Sequence, residues 1–224
     1  MRVVMFGLGQ LSSLAWYCLT HDSPHEIVAF TVDGAYMDRA EFEGLPVVAF
    51  EDVENRFPPG DYAMLVPIGA RAANGLRADK YGEARQKGYS FPSYVSSRAL
   101  TWPDLVIGEN SLIYEGAVIQ PFCHIGNNVV VRHGVAVSHH GHIGEHCFLA
   151  NHAVLGGGVV LEERCFVGLN ATICDGITVA RGCMIAAGAL VTDDTTENGV
   201  YAGSPARRRR VPTDRFFARR SQHR

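Results

Sequence analysis

The chain has 224 residues, a formal net charge of −3 and 47% hydrophobic residues, a length that accommodates one large or two small domains. No apolar run reaches the length of about 18 residues that a membrane span requires. The start MRVVMFG lacks the apolar core and cleavage site of a signal peptide. We therefore expect a cytoplasmic protein without a membrane span.

The first part of the chain, residues 1–92, shows strands alternating with helices. We predict strands at 2–6, 27–32, 46–50 and 62–68, and helices at 11–19, 51–56 and 71–87. This alternation is typical of a small parallel α/β sheet. We predict a second domain at 93–206 and a basic tail at 207–224.

A glycine turn follows the first strand. Gly7-Leu8-Gly9-Gln10-Leu11-Ser12 is an incomplete GxGxxG, with serine in place of the third glycine. Glycines at this point often serve only the tight turn. However, Asp33 ends the second strand, where such folds place an acidic residue against a ribose hydroxyl. Together these features predict a nucleotide-binding crevice.

The second domain carries a six-residue repeat without a gap. Every sixth residue is Ile, Val or Leu, at Ile107, Ile113, Ile119, Ile125, Val131, Val137, Ile143, Leu149, Leu155, Leu161, Val167, Ile173, Val179, Ile185 and Val191. Neither a helix nor an alternating strand has this period; it indicates a β-helix. Eighteen residues form one triangular coil, and coils stack at about 4.8 Å. Val95 and Ala99 already fit the frame, so the coils can begin there.

The cysteines follow the same frame. Cys147, Cys165 and Cys183 are eighteen residues apart, which places them at one small inward position of neighbouring coils. No CxxC or other metal-type spacing occurs. We expect buried, reduced thiols rather than disulfides or metal ligands.

Histidines crowd the middle of the repeat. Six of the ten lie within twenty residues, at His133, His139, His140, His142, His146 and His152. Most surface histidines are inert, but His139 precedes Gly141, where a bare backbone lets a ligand approach. A neutral imidazole there suits a general base. Gly156, Gly157 and Gly158 offer amides for an oxyanion, although such glycines can merely ease a corner.

The tail is strongly basic. Residues 207–224 hold eight arginines and one aspartate, a balance of +7, so the rest of the chain carries −10. Such a run is usually a solvated tail, and its alternative role is a cationic site for a phosphorylated ligand. Nucleic-acid binding is not expected, because no basic domain accompanies the run.

These motifs resemble those of the sugar acyltransferases that join a nucleotide-binding domain to a left-handed β-helix. That group includes sialic acid O-acetyltransferases and the N-acetyltransferases of the bacillosamine and perosamine pathways. The segment 138–144, SHHGHIG, is similar to the motif that carries the family's catalytic histidine. FVGLNATI at 166–173, IAAGALV at 185–191 and GVYAGSPAR at 199–207 resemble its later coils and its closing segment.

The resemblance implies a homotrimer that uses acetyl-CoA in a groove between neighbouring β-helices. It makes His139 the base, with His140 beside it and the Gly157 amide at the oxyanion. The residues implied for acetyl-CoA are Gly157, Gly168, Ala186, Ala187, Gly203, Pro205, Arg207 and Arg208. Those implied for the nucleotide-sugar are Gly7, Gly9, Gln10, Asp33, Gly69 and Arg77. No metal is expected. The preferred acceptor is the amino group of a 4-amino-4,6-dideoxy sugar.

The chain departs from the family pattern at three places. Near the amino terminus the family often shows G-x-G-G-H, and here the segment is Gly7-Leu8-Gly9-Gln10-Leu11. The residue after the base is normally a carboxylate that orients the imidazole, and here it is His140; Glu115, Glu145 or a neighbouring subunit's carboxylate is the alternative. Phe148 replaces a second histidine.

Three other functions remain open at this stage. Sugar O-acetylation, including that of sialic acid, needs the same fold. A zinc hydratase would require three convergent imidazoles, and the nucleotide-type domain argues against it. A binding module that has lost turnover would retain the same fold without the chemistry.

Overall fold

The computed structural model describes residues 1–211 and Thr213; the rest of the predicted basic tail lies outside the described residues. An α/β domain is followed by a parallel β-helix, and the two pack against each other. No helix in this part of the chain is long and apolar enough to cross a membrane.

The amino-terminal domain is built on a five-stranded sheet. Its strands are β1 (Arg2–Phe6), β2 (Glu26–Val32), β3 (Glu41–Phe42), β4 (Leu45–Ala49) and β5 (Ala63–Leu65), in the order β3-β4-β2-β1-β5. Only the β3–β4 pair is antiparallel. The helices are α1 (Gln10–Asp22), α2 (Val53–Arg56) and α3 (Gly75–Gln86), with 3₁₀ turns at Gly34–Tyr36 and Phe50–Asp52. The predicted parallel α/β sheet is confirmed.

Two elements are shorter than the sequence pattern predicts. The strand predicted at 62–68 ends at Leu65, because the Val66 amide leaves the sheet and donates to Asn110 Oδ1 of the β-helix at 2.9 Å. The helix predicted at 71–87 begins only at Gly75, because residues 72–74 have left-handed φ angles of 50–66°. A left-handed backbone cannot continue a right-handed helix.

The β-helix consists of two-residue strands joined by tight corners. The strands are β6 (Tyr94–Val95), β7 (Val106–Ile107), β8 (Leu112–Ile113), β9 (Val118–Ile119), β10 (His124–Ile125), β11 (Val130–Val131), β12 (Ala136–Val137), β13 (His142–Ile143), β14 (Phe148–Leu149), β15 (Val154–Leu155), β16 (Val160–Leu161), β17 (Phe166–Val167), β18 (Thr172–Ile173), β19 (Thr178–Val179), β20 (Met184–Ile185), β21 (Leu190–Val191), β22 (Val200–Ala202) and β23 (Arg207–Arg208). Coiling begins at β6, which contains Val95 as predicted.

Three sheets form the sides of the coil. We call them the docked face (β6, β8, β11, β14, β17, β20, β22, β23), the aliphatic face (β9, β12, β15, β18, β21) and the histidine face (β7, β10, β13, β16, β19). Residues eighteen apart pair in parallel, as Ile125 does with Ile143. The repeated aliphatic side chains fill one interior core. Cys147, Cys165 and Cys183 are buried in it as free thiols, at the inward position that the repeat predicts.

A left-handed backbone residue recurs at every sixth position of the corners. These residues are Asn110, Gly116, Phe122, Asn128, Gly134, His140, His146, His152, Gly158, Arg164, Asn170, Gly176, Gly182 and Gly188. Glycine, asparagine and histidine tolerate this conformation better than most residues. His140, His146 and His152 all occupy this corner position. The need for a left-handed backbone therefore accounts for the presence of histidine at half of the cluster.

The docked face carries the amino-terminal domain. Its outward side chains form one apolar cluster with the α/β sheet and α1, in which Tyr94, Leu112, Val130 and Phe148 meet Val3, Met5, Leu19 and Phe30. Asp22, at the end of α1, accepts hydrogen bonds from Tyr94 Oη, Ser96 Oγ and the Ser97 amide. Those hydrogen bonds lower the pKa of the Asp22 carboxyl.

Arg77 joins the two domains at this interface. Its side chain is fully buried, and burial lowers its pKa to about 10. The guanidinium donates to the carbonyl oxygens of Ile68, Gly69, Asn128, His146 and Cys147 and to Asn74 Oδ1. The structure thus places Arg77, which was expected at the nucleotide-sugar, between the two domains, where its donors are used by protein oxygen atoms.

We predict that Arg77→Leu destabilises the protein by about 2–4 kcal/mol, because several buried carbonyls lose their donor. Urea unfolding measures the loss. Arg85→Leu on the same helix is the control, since the Arg85 side chain is 63% exposed, and should change the free energy of unfolding little. An equal effect of both variants would contradict the interdomain role.

Candidate active site

One corner of the β-helix gathers the residues predicted for catalysis. We call it the His139 corner; it comprises 120–123, 138–141, 156–159 and 174–177, where the aliphatic face leads into the histidine face. Because coils stack, His139 lies beside Gly157, the residue eighteen positions later. An added Cβ on Gly157 would lie 2.6 Å from His139 Cε1. The imidazole therefore rests directly on the Gly157 backbone, and only glycine leaves room for it.

His139 has two polar anchors. Its backbone amide donates to Gln120 Oε1 at 2.9 Å, which holds the residue against the preceding coil. Its Nδ1 lies 3.1 Å from His140 Nδ1, with the two rings nearly perpendicular. Both side chains are exposed in the single chain. The structure thus brings His139, His140 and Gly157 together.

The glycine amides at this corner are not free, contrary to the expectation. The Gly156 amide donates to Ile173 O and the Gly158 amide to His139 O, both at 2.9 Å. The Gly157 amide donates to Asp175 Oδ1 at 2.6 Å. Of these three acceptors, only Asp175 is an exposed side chain. A ligand carbonyl can therefore replace Asp175 at the Gly157 amide while the hydrogen bonds between coils are kept.

Three further histidines of the cluster, His133, His142 and His146, have structural partners. His133 Nε2 lies 3.0 Å from Glu115 Oε1, and the ring stacks on Tyr114. His146 Nδ1 lies 2.8 Å from Asn128 Nδ2, and burial lowers its pKa. His124 and His142 stack in parallel on the histidine face, with ring centroids 4.9 Å apart. Among the residues described, no group of three or more His, Cys, Asp or Glu side chains is placed to hold a metal.

The carboxylates considered for orienting His139 lie elsewhere. Glu115 pairs with His133, and Glu145 accepts from Asn127 Nδ2 at 2.7 Å. Phe148 is buried at the domain interface, where it stacks on Phe166. His140 is therefore the neighbour that this chain itself provides for the imidazole of His139.

The residues expected to bind acetyl-CoA lie at a different corner. The Gly168 corner comprises 150–153, 168–171 and 186–189, where the docked face leads into the aliphatic face. Ala150, Gly168 and Ala186 occupy equivalent positions there and form a strip of small residues. Ala187 lies next to Ala186 and is exposed. Beyond the strip, Gly203, Pro205, Arg207 and Arg208 are exposed in the closing segment.

The residues expected to bind a nucleotide gather at one edge of the amino-terminal sheet. Gly7 follows β1 with a φ of 102°, and an added Cβ would lie 2.8 Å from Ser12 Oγ. Gly9 and Gln10 are exposed at the start of α1, and Gly69 follows β5. The carboxyl ends of β1 and β5 are where strand order reverses, the usual ligand crevice of such sheets.

Asp33, at the end of β2, is already paired. Its Oδ1 lies 2.7 Å from Lys80 Nζ of α3, and Lys80 also contacts Glu83. If Asp33 also contacts a ribose, its carboxylate must therefore bind both the ribose hydroxyl and Lys80, whose side chain is mostly buried. The pair was not foreseen, because residues 47 positions apart show no periodic signal.

The three groups of residues do not meet within one chain. The amino-terminal domain covers the docked face, whereas the His139 corner is opposite that face. The Gly168 corner lies at the far edge of the aliphatic face from His139. A site that uses all three groups therefore requires residues from more than one copy of the chain.

Two family models match the repeat. Residues 104–139 match the bacterial transferase hexapeptide (six repeats), and residues 158–193 match the hexapeptide repeat of succinyl-transferase. Among curated proteins, no sequence matches.

Solved structures match the whole described fold. The perosamine N-acetyltransferase from Caulobacter crescentus, solved as a mutant with CoA and GDP-perosamine, is 25% identical and has a TM-score of 0.83, with 93% of this chain and 97% of that chain covered. The acetyltransferase domain of PglB from Neisseria gonorrhoeae FA1090 is 20% identical and has a TM-score of 0.82, with coverage of 93% and 99%. The predicted fold class, an α/β domain followed by a left-handed β-helix, is confirmed.

We predict that Gly157→Ala displaces the His139 ring, because the new methyl would overlap Cε1. The imidazole ¹⁵N signals of His139 and His140 should shift, while those of His124 and His142 stay in place. Gly82→Ala is the control, since an added Cβ there meets nothing within 4 Å. Unchanged His139 signals in the Gly157 variant would contradict the packing described.

Proposed function

We propose that this chain, which belongs to the sugar acyltransferases with a left-handed β-helix, transfers an acetyl group from acetyl-CoA to the amino group of a nucleotide-linked sugar. The observation that carries the proposal is the overlap of 93% of the chain with a perosamine N-acetyltransferase that holds CoA and GDP-perosamine, combined with an exposed imidazole resting on a glycine amide at the His139 corner.

The proposed reaction is direct acyl transfer. The acceptor nitrogen attacks the thioester carbonyl carbon, a C–N bond forms, and the C–S bond breaks. His139 Nε2 takes the proton from the attacking amine, and the same proton can leave with the CoA thiolate. No acyl-enzyme is needed, which agrees with the burial of four cysteines, Cys123, Cys147, Cys165 and Cys183, in the core.

The Gly157 amide is the proposed oxyanion donor. Its present partner, Asp175, is an exposed side chain, so the acyl carbonyl can take the place of the carboxylate. Backbone amides aimed at a developing oxyanion stabilise it without reorganisation. Gly156 and Gly158 do not qualify, because their amides join neighbouring coils.

The Gly168 corner is the proposed path of the CoA arm. Gly168 and Ala186 leave a smooth strip along the coil axis, on which a slender pantetheine chain can lie. The strip leads to the closing segment, where Gly203 and Pro205 flank exposed Arg207 and Arg208. Guanidinium groups suit the phosphates of CoA.

The amino-terminal crevice is the proposed site of the nucleotide. Gly7, Gly9 and Gln10 line its β1 side, Gly69 its β5 side, and Asp33 with Lys80 lies at the end of β2. Close backbone approach at the glycines suits a pyrophosphate at the start of α1. The sugar then extends away from the docked face toward a neighbouring copy.

A homotrimer is the proposed assembly. The aliphatic face exposes Val118 and Val154, with relative exposures of 37% and 41%, and Leu100, which pairs with Val118 beside this face, is 67% exposed. An open groove of about 550 Å³ beside them is lined by residues 99–102, Val118, Gln120 and Pro121. Packing this face against a neighbouring copy buries apolar surface. It also brings the neighbour's Gly168 corner or amino-terminal domain toward His139 of this chain.

We predict that His139→Ala lowers kcat about 10²- to 10⁴-fold, the contribution of a general base, while CoA affinity stays nearly unchanged. Thiol release from acetyl-CoA is measured with UDP-, GDP- and dTDP-linked amino sugars and with free sialic acid. His124→Ala, on the histidine face, serves as the control. Wild-type turnover by His139→Ala would remove His139 from the mechanism, and release with sialic acid alone would move the acceptor to a hydroxyl.

We predict that two inactive variants restore activity when they assemble together. His139→Ala removes the base, and Gly9→Trp fills the nucleotide crevice at a position where an added Cβ meets nothing within 4 Å. If each site combines the crevice of one chain with His139 of the next, random mixing at equal amounts gives about one quarter of wild-type activity. Unfolding and refolding the two chains together, followed by the thiol assay, measures it. No recovery would place the whole site in one chain.

A further inference from the structure

We infer that His140 is a positioning residue and that His139 and His140 act as one base, competent only when the pair carries no net charge. The inference rests on the proposed function, because it assigns the orientation of the proposed base. Its geometric basis is the 3.1 Å contact between the two Nδ1 atoms. A hydrogen bond at that distance requires one Nδ1 to donate and the other to accept.

Each ring is held independently of the contact. His140 has a left-handed backbone with φ 58°, its amide donates to Pro121 O at 3.2 Å, and its ring packs on Phe122 with centroids 4.8 Å apart. His139 is held by Gln120 and by the Gly157 backbone. The two nitrogen atoms therefore meet because the corner places them together.

The shared hydrogen bond fixes which nitrogen can accept a proton. If His139 Nδ1–H donates to His140 Nδ1, then His139 Nε2 has a free lone pair, as proton abstraction requires. If His140 donates instead, His139 carries its proton on Nε2 and is inert as a base. The competent tautomer is the one in which His140 accepts.

A single added proton abolishes the base wherever it resides. A charged His139 carries protons on both nitrogens. A charged His140 must donate from Nδ1, so His139 Nδ1 accepts and its proton moves to Nε2. After abstraction, His139 gives the Nε2 proton to the departing CoA thiolate, which restores the neutral pair with Nδ1–H on His139.

The charged groups around the pair do not replace His140. Asp104 Oδ2 accepts from the Phe122 amide at 2.6 Å, and Asp175 Oδ1 accepts from the Gly157 amide at 2.6 Å. In the part of the chain that the structure describes, neither His139 nor His140 has a carboxylate partner. His140 thus orients the imidazole of His139, as the carboxylate at this position does in the family pattern, but it carries no negative charge.

The missing charge has a functional consequence. An anion beside an imidazole stabilises the imidazolium and keeps it protonated to higher pH. A neutral partner lacks that attraction, so His140 orients the His139 ring through its hydrogen bond alone. The position of the proton on His139 therefore depends on the tautomer of His140.

Three substitutions separate orientation from charge. His140→Asp and His140→Asn place an Oδ1 atom where His140 Nδ1 lies, and both residues tolerate a left-handed backbone. Glycine also tolerates it, so His140→Gly deletes the side chain cleanly. The readouts are the pH profile of kcat/KM and the ¹⁵N imidazole shifts of His139, which distinguish Nδ1–H from Nε2–H without any substrate.

We expect His140→Asp to move the acid limb of the profile upward by about one pH unit and to hold His139 as Nδ1–H. His140→Gly should lower kcat about 3- to 10-fold with KM unchanged, and should give mixed tautomers. His140→Asn should recover part of kcat without moving the limb. His124→Ala should change neither readout.

Wild-type ¹⁵N shifts and kcat in His140→Gly, or an Nε2–H tautomer of His139 in the wild-type protein, would overturn the inference. An unmoved acid limb in His140→Asp would assign the orienting role to a carboxylate of a neighbouring copy. Tautomer changes without turnover on any acceptor would leave the pair standing and overturn the proposed function instead.

Discussion

Coil-on-coil stacking is the constraint on which the rest of this molecule depends. Parallel pairing at eighteen-residue spacing, as between Ile125 and Ile143, turns a sequence interval into a fixed neighbour in space. Each buried aliphatic side chain contributes about 1.5–3 kcal/mol relative to exposure, so the register cannot slip without exposing the whole core. The same register places the His139 ring on the Gly157 backbone, so a substitution at Gly157 displaces the ring.

The same stacking explains why the candidate site is divided among corners. A triangular coil has three faces, and the amino-terminal domain occupies one of them through an apolar interface and the buried Arg77. The His139 corner is opposite the docked face, which leaves the acceptor crevice and the base on different sides of one chain. Assembly is therefore part of the proposed chemistry, because a neighbouring copy supplies what the single chain holds apart.

The corners combine backbone requirement with chemistry. A left-handed residue is needed at every sixth position, and histidine is among the residues that tolerate it. At His146 and His152 this requirement is sufficient explanation. At His140 the same backbone position also directs an imidazole at His139, so one residue meets a conformational need and provides the contact that the base requires.

The sequence by itself determined the architecture, since a six-residue aliphatic period and alternating strands and helices are local patterns that admit one arrangement each. It also pointed to His139, Gly157 and the nucleotide crevice. Only the tertiary structure decided that Arg77 is buried between domains, that Asp175 holds the Gly157 amide, that Lys80 pairs with Asp33 and that α3 begins at Gly75. These outcomes depend on contacts between chain segments without a shared period, and on the burial of one face by another domain, which no local pattern records.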